Sequence, residues 1–486
     1  MAISNTCVYE MRTTGSMNNG GGYVTGGGGQ DYSQQDSPQE SYTTLACLNT
    51  ATTLTCSGAD TFNANIVGNI IKITGGTNFT VGWYQVMARA SSTSITIDRT
   101  AAAAGLNATV GTGNMGGAVG IPTDAFYEQL LSGQWVWVKS GTYVWTETVD
   151  TTIPGTASDP ITFEGYNTSR DDEPTGDNRP YWNMGTKYLR VGYYWTFKSI
   201  RMITDTSTNQ TLEVGQGSYV VNCYIENTTT STTRRALYLV GTEAGVMDSE
   251  IVCKNATAVE VSRTGVIEFC WIHDSLKAIV LNNIGVGMNF NIIDTCTTGV
   301  ILGTRQGCQF TNNVFYNCTT GITGTSSYSD IFVNNIFCYN TTGISWTTNT
   351  LTIYSDYNNW YGNGTDAVNY TKGDNETAVD PEFEGMVIGT DLACSNSTTV
   401  TAASNPFSAS MVGEYLTITD TGDGGNFNVG NYLISTFNSA GSIVLSTKPV
   451  DNGTNDTGGN YMICDDFSLK STSNCIGAGF GIRLGV

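Results

Sequence analysis

NIIDTCTTGV (291–300), NVFYNCTTGI (313–322) and NIFCYNTTGI (335–344) are versions of one phrase that returns every 22 residues. Asn opens each version, and an apolar residue (Ile293, Phe315, Phe337) follows two positions later. Gly299, Gly321 and Gly343 come six positions after those residues, and Val300, Ile322 and Ile344 come seven after. Upstream, the apolar column continues through Ile272, Ile251 and Ile225. From Ile225 to Phe337 its intervals are 26, 21, 21, 22 and 22 residues. Asn312 and Asn334 lie three positions before Phe315 and Phe337. Short β-type segments between Asn, Thr and Gly turns, at a period of about 22 residues, specify a solenoid whose coils stack as parallel strands.

Equivalent side chains then lie about 4.8 Å apart on neighbouring coils. The apolar column becomes core, with roughly 1.5–3 kcal/mol for each buried side chain. Asn291, Asn313 and Asn335 are expected to form an inward amide ladder that also satisfies backbone groups at a turn. Gly299, Gly321 and Gly343 are expected to hold turn conformations with φ > 0. Cys223 and Cys270 share the Asn291 column, and Cys296 and Cys318 share another. Stacked Cys of this kind read as small buried apolar residues, with a Cys296–Cys318 disulfide as the sterically feasible alternative.

Composition agrees with an all-β chain. Charged residues are 13% of the 486, against about 25% in an average protein. Gly, Asn, Thr and Ser fill the polar share, which suits strands and tight turns. Residues 124–131 form the best short helix candidate. The formal charge of −21 argues against a nucleic-acid partner, because phosphate neutralisation needs a Lys/Arg surface. No apolar run of about 18 residues is present, so no membrane insertion is expected. Residues 1–12 lack the apolar stretch of a signal peptide. Thirteen Cys leave at least one unpaired within the chain, which fits folding in a reducing cytoplasm. The Asn-x-Ser/Thr sequons follow from the Asn/Thr-rich composition.

A second repeat lies near the two ends. Phe62, Ala64, Val67, Gly68, Ile73 and Thr74 recur 345 positions later as Phe407, Ala409, Val412, Gly413, Ile418 and Thr419. At an offset of 348, Asn78, Phe79, Val81, Gly82, Tyr84 and Ile95 pair with Asn426, Phe427, Val429, Gly430, Tyr432 and Ile443. Two copies of one small β module therefore interrupt the solenoid. The expected organisation is an N-terminal segment and cap (1–46), module copy 1 (47–118), parallel β-helix (119–385), module copy 2 (386–463) and a closing coil (464–486). In that arrangement the modules project from the ends of one rod.

VWVKSGTYVWTETVDTTIPGTASDPITFEGYN (136–167) resembles the opening coils of right-handed parallel β-helix, pectate-lyase-like repeat proteins. SDYNNWYGN (355–363) resembles their last coils, and DPEF (380–383) with DFSLKSTSNCIGAG (466–479) resembles their close. The fold implied is a right-handed parallel β-helix solenoid with two homologous β modules inserted near its ends. TTGSMNNGGGYVTGGGGQDYSQQDSPQ (13–39), followed by the first module, resembles virion structural proteins of tailed bacteriophages. This second resemblance implies a virion protein folded in the host cytoplasm, with a homotrimer, other capsid or tail proteins and host surface glycans as expected partners.

Neither resemblance supplies a catalytic residue. Lyases of the superfamily use Ca²⁺-binding Asp clusters with an Arg or Lys base. Arg234, Arg235, Arg263 and Arg305 are the cations available here, and no Asp cluster matches. One position after the apolar column lie Glu226, Val252, His273, Asp294, Tyr316 and Cys338, which would place Asp294 beside the chain's sole His. That pair raises a general-base reading, against the plainer one of a polar pair at a turn. Glu250, Glu260, Glu268, Asp274, Asp330 and Asp356 are further carboxylates from which a glycosidase pair could be drawn. Scattered Cys without Cys-x-x-Cys spacing offer no zinc site. Gly20–Gly22 and Gly26–Gly29 lack the Lys-Ser/Thr of a phosphate loop. Two aromatic groups, Tyr181, Trp182, Tyr188, Tyr193, Tyr194, Trp195 and Trp346, Tyr354, Tyr357, Trp360, Tyr361, would either cap coils or, exposed, stack on sugars. No catalytic, cofactor-binding or metal-binding residue is assigned, and the function expected is that of a non-catalytic structural virion protein. The alternative is a tailspike-type enzyme that binds and cleaves a host surface polysaccharide.

Overall fold

A computed structural model describes residues 3–282, 285–303, 307–325, 327–348, 351–451 and 453–475. The chain is nearly all β and combines a parallel β-solenoid with two six-stranded barrels. It divides into two compact units, Met1–Gly287 with Val300–Gln306, and Met288–Gly299 with Gly307–Val486.

In the first unit, each coil contributes one strand to each of three parallel sheets. The first sheet runs from Cys7–Met11 through Trp135–Lys139, Ile161–Tyr166, Trp195–Lys198, Tyr219–Val221 and Ala244–Met247 to Gly265–Glu268. The second stacks Thr142–Val144, Tyr181–Gly185, Arg201–Thr204, Tyr224–Asn227, Glu250–Val252 and Trp271–His273. The third holds Val149–Asp150, Leu189–Val191, Leu212–Val214, Arg235–Leu239, Thr257–Val261 and Lys277–Leu281. Ile225, Ile251 and Ile272 stack in register, as the sequence requires, and are fully buried. Tyr143, Trp182 and Met202 extend that column upstream with larger side chains. The helix expected over 124–131 is shorter, Asp124–Tyr127, and buries Phe126 and Tyr127 against other aromatic rings. The N-terminal strand is held by Glu10, which is fully buried, takes hydrogen bonds from Arg12 (3.0 Å) and Arg170 (2.7 Å), and contacts the Tyr166 hydroxyl.

The barrel of this unit closes as Glu40–Cys47, Thr53–Thr55, Ser94–Ile97, Gly82–Ser91, Ile70–Thr77 and Ala108–Met115. Its first strand begins upstream of residue 47 because Tyr42 and Leu45 belong to the barrel core. Trp83 fixes the barrel to its own unit: the indole donates to Asn19 O (3.1 Å), meets the edge of Phe126, and carries Lys72 Nζ 3.1 Å above its ring.

The second unit has the same three-sheet plan with shorter stacks. Ile292–Asp294, Val314–Tyr316, Ile336–Cys338 and Asn359–Tyr361 form one. Phe315, Phe337 and Trp360 stack nearly parallel, with centroids 4.7 and 4.4 Å apart. The amide ladder is present and longer than expected. Asn291 Nδ2 donates to Asn313 Oδ1, Asn313 Nδ2 to Asn335 Oδ1, and Asn335 Nδ2 to Asn358 Oδ1, each at 2.9 Å. A second ladder, which the phrase comparison missed, joins Asn340 Nδ2 to Asn363 Oδ1 (3.0 Å), while Cys318 N donates to Asn340 Oδ1.

The glycine expectation is overturned. Gly299, Gly321 and Gly343 lie buried inside strands and none occupies the left-handed region. Their requirement is space: a Cβ on Gly299 would come 2.3 Å from the carbonyl oxygen of Gly321, and one on Gly321 2.6 Å from that of Gly343. Left-handed turn residues in these coils include Asn312 (φ 59°), Asn334 (φ 60°) and Asn317 (φ 51°), where Asn tolerates the conformation better than most side chains, and also Phe290, Thr295, Tyr339 and Tyr357.

The second barrel closes as Met386–Ser395, Thr399–Ala402, Ser442–Leu445, Gly430–Ser439, Tyr415–Ile418 and Asn455–Cys464. Its strand order matches that of the first, and details recur with the sequence offset. Tyr84 and Tyr432 each donate their hydroxyl to the carbonyl four residues back, Thr80 O (2.7 Å) and Asn428 O (2.6 Å). Thr417 and Asn431, equivalent by offset to Lys72 and Trp83, both contact Asn317 of a neighbouring coil. Phe383 and Phe467 pack together and bring the chain back onto the coils beside Cys464 and Cys475. Ile476, Ala478 and Gly479 of the expected closing coil, and Arg305, lie outside the described residues. All thirteen Cys are buried and none is in a disulfide, so the Cys296–Cys318 disulfide is not formed.

Candidate functional site

The outer face of the second sheet of the first unit gathers the groups with most chemical potential. Strand alternation sends Trp182, Met202, Ile225, Ile251 and Ile272 inward, and their preceding neighbours outward. The register aligns these as Tyr181, Arg201, Tyr224, Glu250 and Trp271, one per coil. Arg201 is wedged between two rings, its guanidinium 5.0 Å from Tyr181 and 5.1 Å from Tyr224. Nη1 of Arg201 pairs with Asp177 at 2.6 Å, and the Tyr224 hydroxyl donates to Glu226 Oε2 at 2.8 Å.

His273 lies at the end of this strip. Its ring stacks on Trp271 with centroids 4.0 Å apart, Nδ1 faces Asp274 Oδ2 at 2.9 Å, and Nε2 faces Glu250 Oε1 at 3.2 Å. Burial opposes the imidazolium charge, but the hydrogen bonds and charges of Asp274 and Glu250 outweigh it and lift the pKa to about 10. The carboxylates on the imidazole are therefore Asp274 and Glu250, in place of the expected Asp294. Asp294 belongs to the second unit, where Thr295 Oγ1 donates to it. One turn of left-handed backbone at Asp274 (φ 51°) folds that carboxylate back toward the ring, which an in-line reading of coil positions cannot anticipate.

Beside the strip, a cleft of about 240 Å³ is lined by Gly176, Asp177, Arg179, Arg201, Tyr224 and Glu250. Arg179 follows the short 3₁₀ turn Gly176–Asn178 and is 8% exposed. Its Nη2 donates to Asn222 Oδ1 at 2.6 Å, and its Nε is buried without an acceptor. Burial lowers its pKa from the usual guanidinium value.

The remaining sequence candidates are dispersed. Glu260 pairs with Arg235 at 2.5 Å, Asp330 caps the Cys308 amide at 2.8 Å, and Asp356 holds Asn375 at 2.9 Å. Arg234 donates to Ser207 O, and Arg263 is exposed. Trp182, Trp195, Trp346 and Trp360 are buried, whereas Tyr193 and Tyr354 are more than half exposed. Among the described residues, no group of three or more His, Cys, Asp or Glu side chains is placed to hold a metal, and no helix is long and apolar enough to cross a membrane. In the second unit, a recess of about 500 Å³ beside Asn317, Tyr339, Thr417 and Asn431 has amides and hydroxyls but no charged side chain on its walls. Counting one position before the apolar column, instead of one after it, would have found the strip. Arg179 comes from an aperiodic turn and has no such signal.

No known family description matches the chain, and no curated protein does. Among solved structures it is similar to pectate lyase Pel9A (14% identity, 72% of this chain and 84% of that one, TM-score 0.32). It is also similar to XylC in complex with xylose (10% identity, 94% and 99%, TM-score 0.33). A double-mutant tailspike protein of E. coli bacteriophage HK620, in complex with pentasaccharide, matches at 11% identity over 68% and 86%, with a TM-score of 0.26. All three TM-scores fall below 0.5.

Proposed function

We propose that this chain is a non-catalytic structural protein of a bacteriophage particle, a capsid decoration or tail-associated homotrimer that stabilises the particle or contacts the host surface. The observation that carries the non-catalytic reading is the state of His273. Asp274 and Glu250 clasp the imidazole at 2.9 and 3.2 Å and raise its pKa to about 10, which takes it out of play as a general base near neutrality. The particle role draws on the resemblance of residues 13–39 to virion proteins. The duplicated barrels support it too: each reaches its own unit through one equivalent strand position, Trp83 on Asn19 and Asn431 on Asn317. Each also leaves an equivalent valine exposed, Val81 at 55% and Val429 at 59%, as repeated contact modules would.

One observation favours the tailspike-type enzyme as the second reading. Glu226 and Glu250 stand on adjacent strands of the outer strip, staggered because Glu226 pairs with Val252 and Glu250 with Tyr224. Carboxylates about 6.5–9.5 Å apart serve inverting glycosidases. The test is incubation of the purified protein with host capsule or lipopolysaccharide, followed by assay for new reducing or unsaturated ends. The structural reading expects none. Fragments that appear with the native protein and vanish with Glu226→Gln or Glu250→Gln would establish the enzyme instead.

A further inference from the structure

We propose that the cleft at Arg179 binds an oxyanion, the carboxylate of an acidic sugar or a phosphate ester, on its guanidinium. The charges around the cleft are otherwise committed. Arg201 is paired with Asp177, and Glu250 is engaged by the His273 cation. Arg179 alone has no carboxylate within ion-pairing distance among the described residues, although more than nine-tenths of it is buried. Glu250 acts on this guanidinium only through space and is shared with the His273 cation, and the Arg179 Nε–H is short of an acceptor besides.

The side chain is also held ready. Asn222, which accepts from Nη2, is itself fixed by bonds from its Nδ2 to Ser199 Oγ (2.8 Å) and Pro174 O (3.2 Å). Its backbone is left-handed (φ 50°). The guanidinium borders the cleft as a planar fork held in place, a shape suited to a carboxylate or phosphate oxygen. The volume of about 240 Å³ is below the roughly 300–1,000 Å³ of clefts for drug-sized molecules, so one small group or one sugar unit fits. Tyr224 supplies a ring on the cleft wall against which a sugar face can pack. The site stands apart from the particle role: failure to bind anions would leave that role intact, and glycan cleavage would leave the site intact.

The test titrates the full chain with glucuronate, inorganic phosphate and glucose, read by calorimetry and by tryptophan fluorescence. Saturable binding of glucuronate or phosphate at least about tenfold tighter than of glucose is expected. Arg179→Lys, which keeps the charge and loses the planar fork, should weaken it about tenfold, while Arg190→Lys elsewhere in the unit leaves it unchanged. Binding of glucuronate alone identifies an acidic sugar, and binding of phosphate alone a phosphate ester. Absence of anion binding, equal binding of glucose, or undiminished binding by a folded Arg179→Lys protein would each overturn the proposal. The wild-type comparison of anions with glucose decides the matter even if the variant does not fold.

Discussion

Replacing Asn313 with Leu removes the middle rung of the amide ladder, and the structure sets the scale of the effect. Asn313 is fully buried. Its Oδ1 accepts from Asn291 N (3.0 Å) and Asn291 Nδ2 (2.9 Å), and its Nδ2 donates to Met288 O and Asn335 Oδ1, both at 2.9 Å. In Asn313→Leu, Asn335 Oδ1 keeps one donor, the backbone amide of residue 313. The Asn291 amide, one Asn291 side-chain N–H and the Met288 carbonyl lose theirs. Three stranded buried groups cost about 1–3 kcal/mol each, and the buried Leu returns roughly 1.5–3 kcal/mol. Taking the middle of each range, the net loss expected is about 4 kcal/mol. Urea unfolding followed by circular dichroism in both directions measures it. Asn438→Leu on an exposed hairpin serves as control and should stay within about 0.5 kcal/mol. A loss below about 1 kcal/mol for Asn313→Leu would refute the view that the ladder satisfies groups that nothing else can reach.

Two further outcomes follow from particular contacts. Gly321→Ala places a Cβ 2.6 Å from a backbone oxygen of the next coil, and should lower stability by about 1–3 kcal/mol in the same urea assay; a neutral result would mean that the coils are spaced more widely than described. The groups facing His273 are Asp274 and Glu250, with Arg179 and Arg201 lining the cleft that Glu250 borders. Its folded-state pKa, about 10 against an ordinary 6.5, is raised, so its contribution is fully present below about pH 6.5 and is lost as pH rises through about 10. That contribution is on the order of a few kcal/mol. Urea midpoints measured between pH 6 and 10 should therefore fall in the native protein and flatten in His273→Gln. Equal slopes in the two proteins would contradict it.

Much of the solenoid was legible because each coil touches mainly its neighbours. A side chain that recurs with the coil meets its own equivalent, so the Ile251 and Phe337 columns and the Asn313 ladder follow from spacing alone. The duplicated barrels were legible for a related reason: Phe62 with Phe407 and Tyr84 with Tyr432 occupy the same places in two copies of one core. Spacing misleads where a residue answers to a neighbouring coil and not to its own turn. Gly321 was expected to serve its own backbone, and it serves the carbonyl of the coil beside it. Asn340 and Asn363 formed an unnoticed ladder because their column begins with Cys296 and Cys318, which carry no amide.

The period, the all-β class, the repeated module and the identity of the stacked core were all readable along the chain, since these depend on patterns that recur in it. Folding in three dimensions settled which carboxylates clasp His273, and that Arg179 is buried beside a cleft with no carboxylate within ion-pairing distance. Those outcomes depend on a left-handed turn at Asp274 and on the short turn before Arg179, neither of which repeats. Charges find their partners through space, at distances of a few ångströms, and a linear period does not encode those distances once the chain leaves its strands.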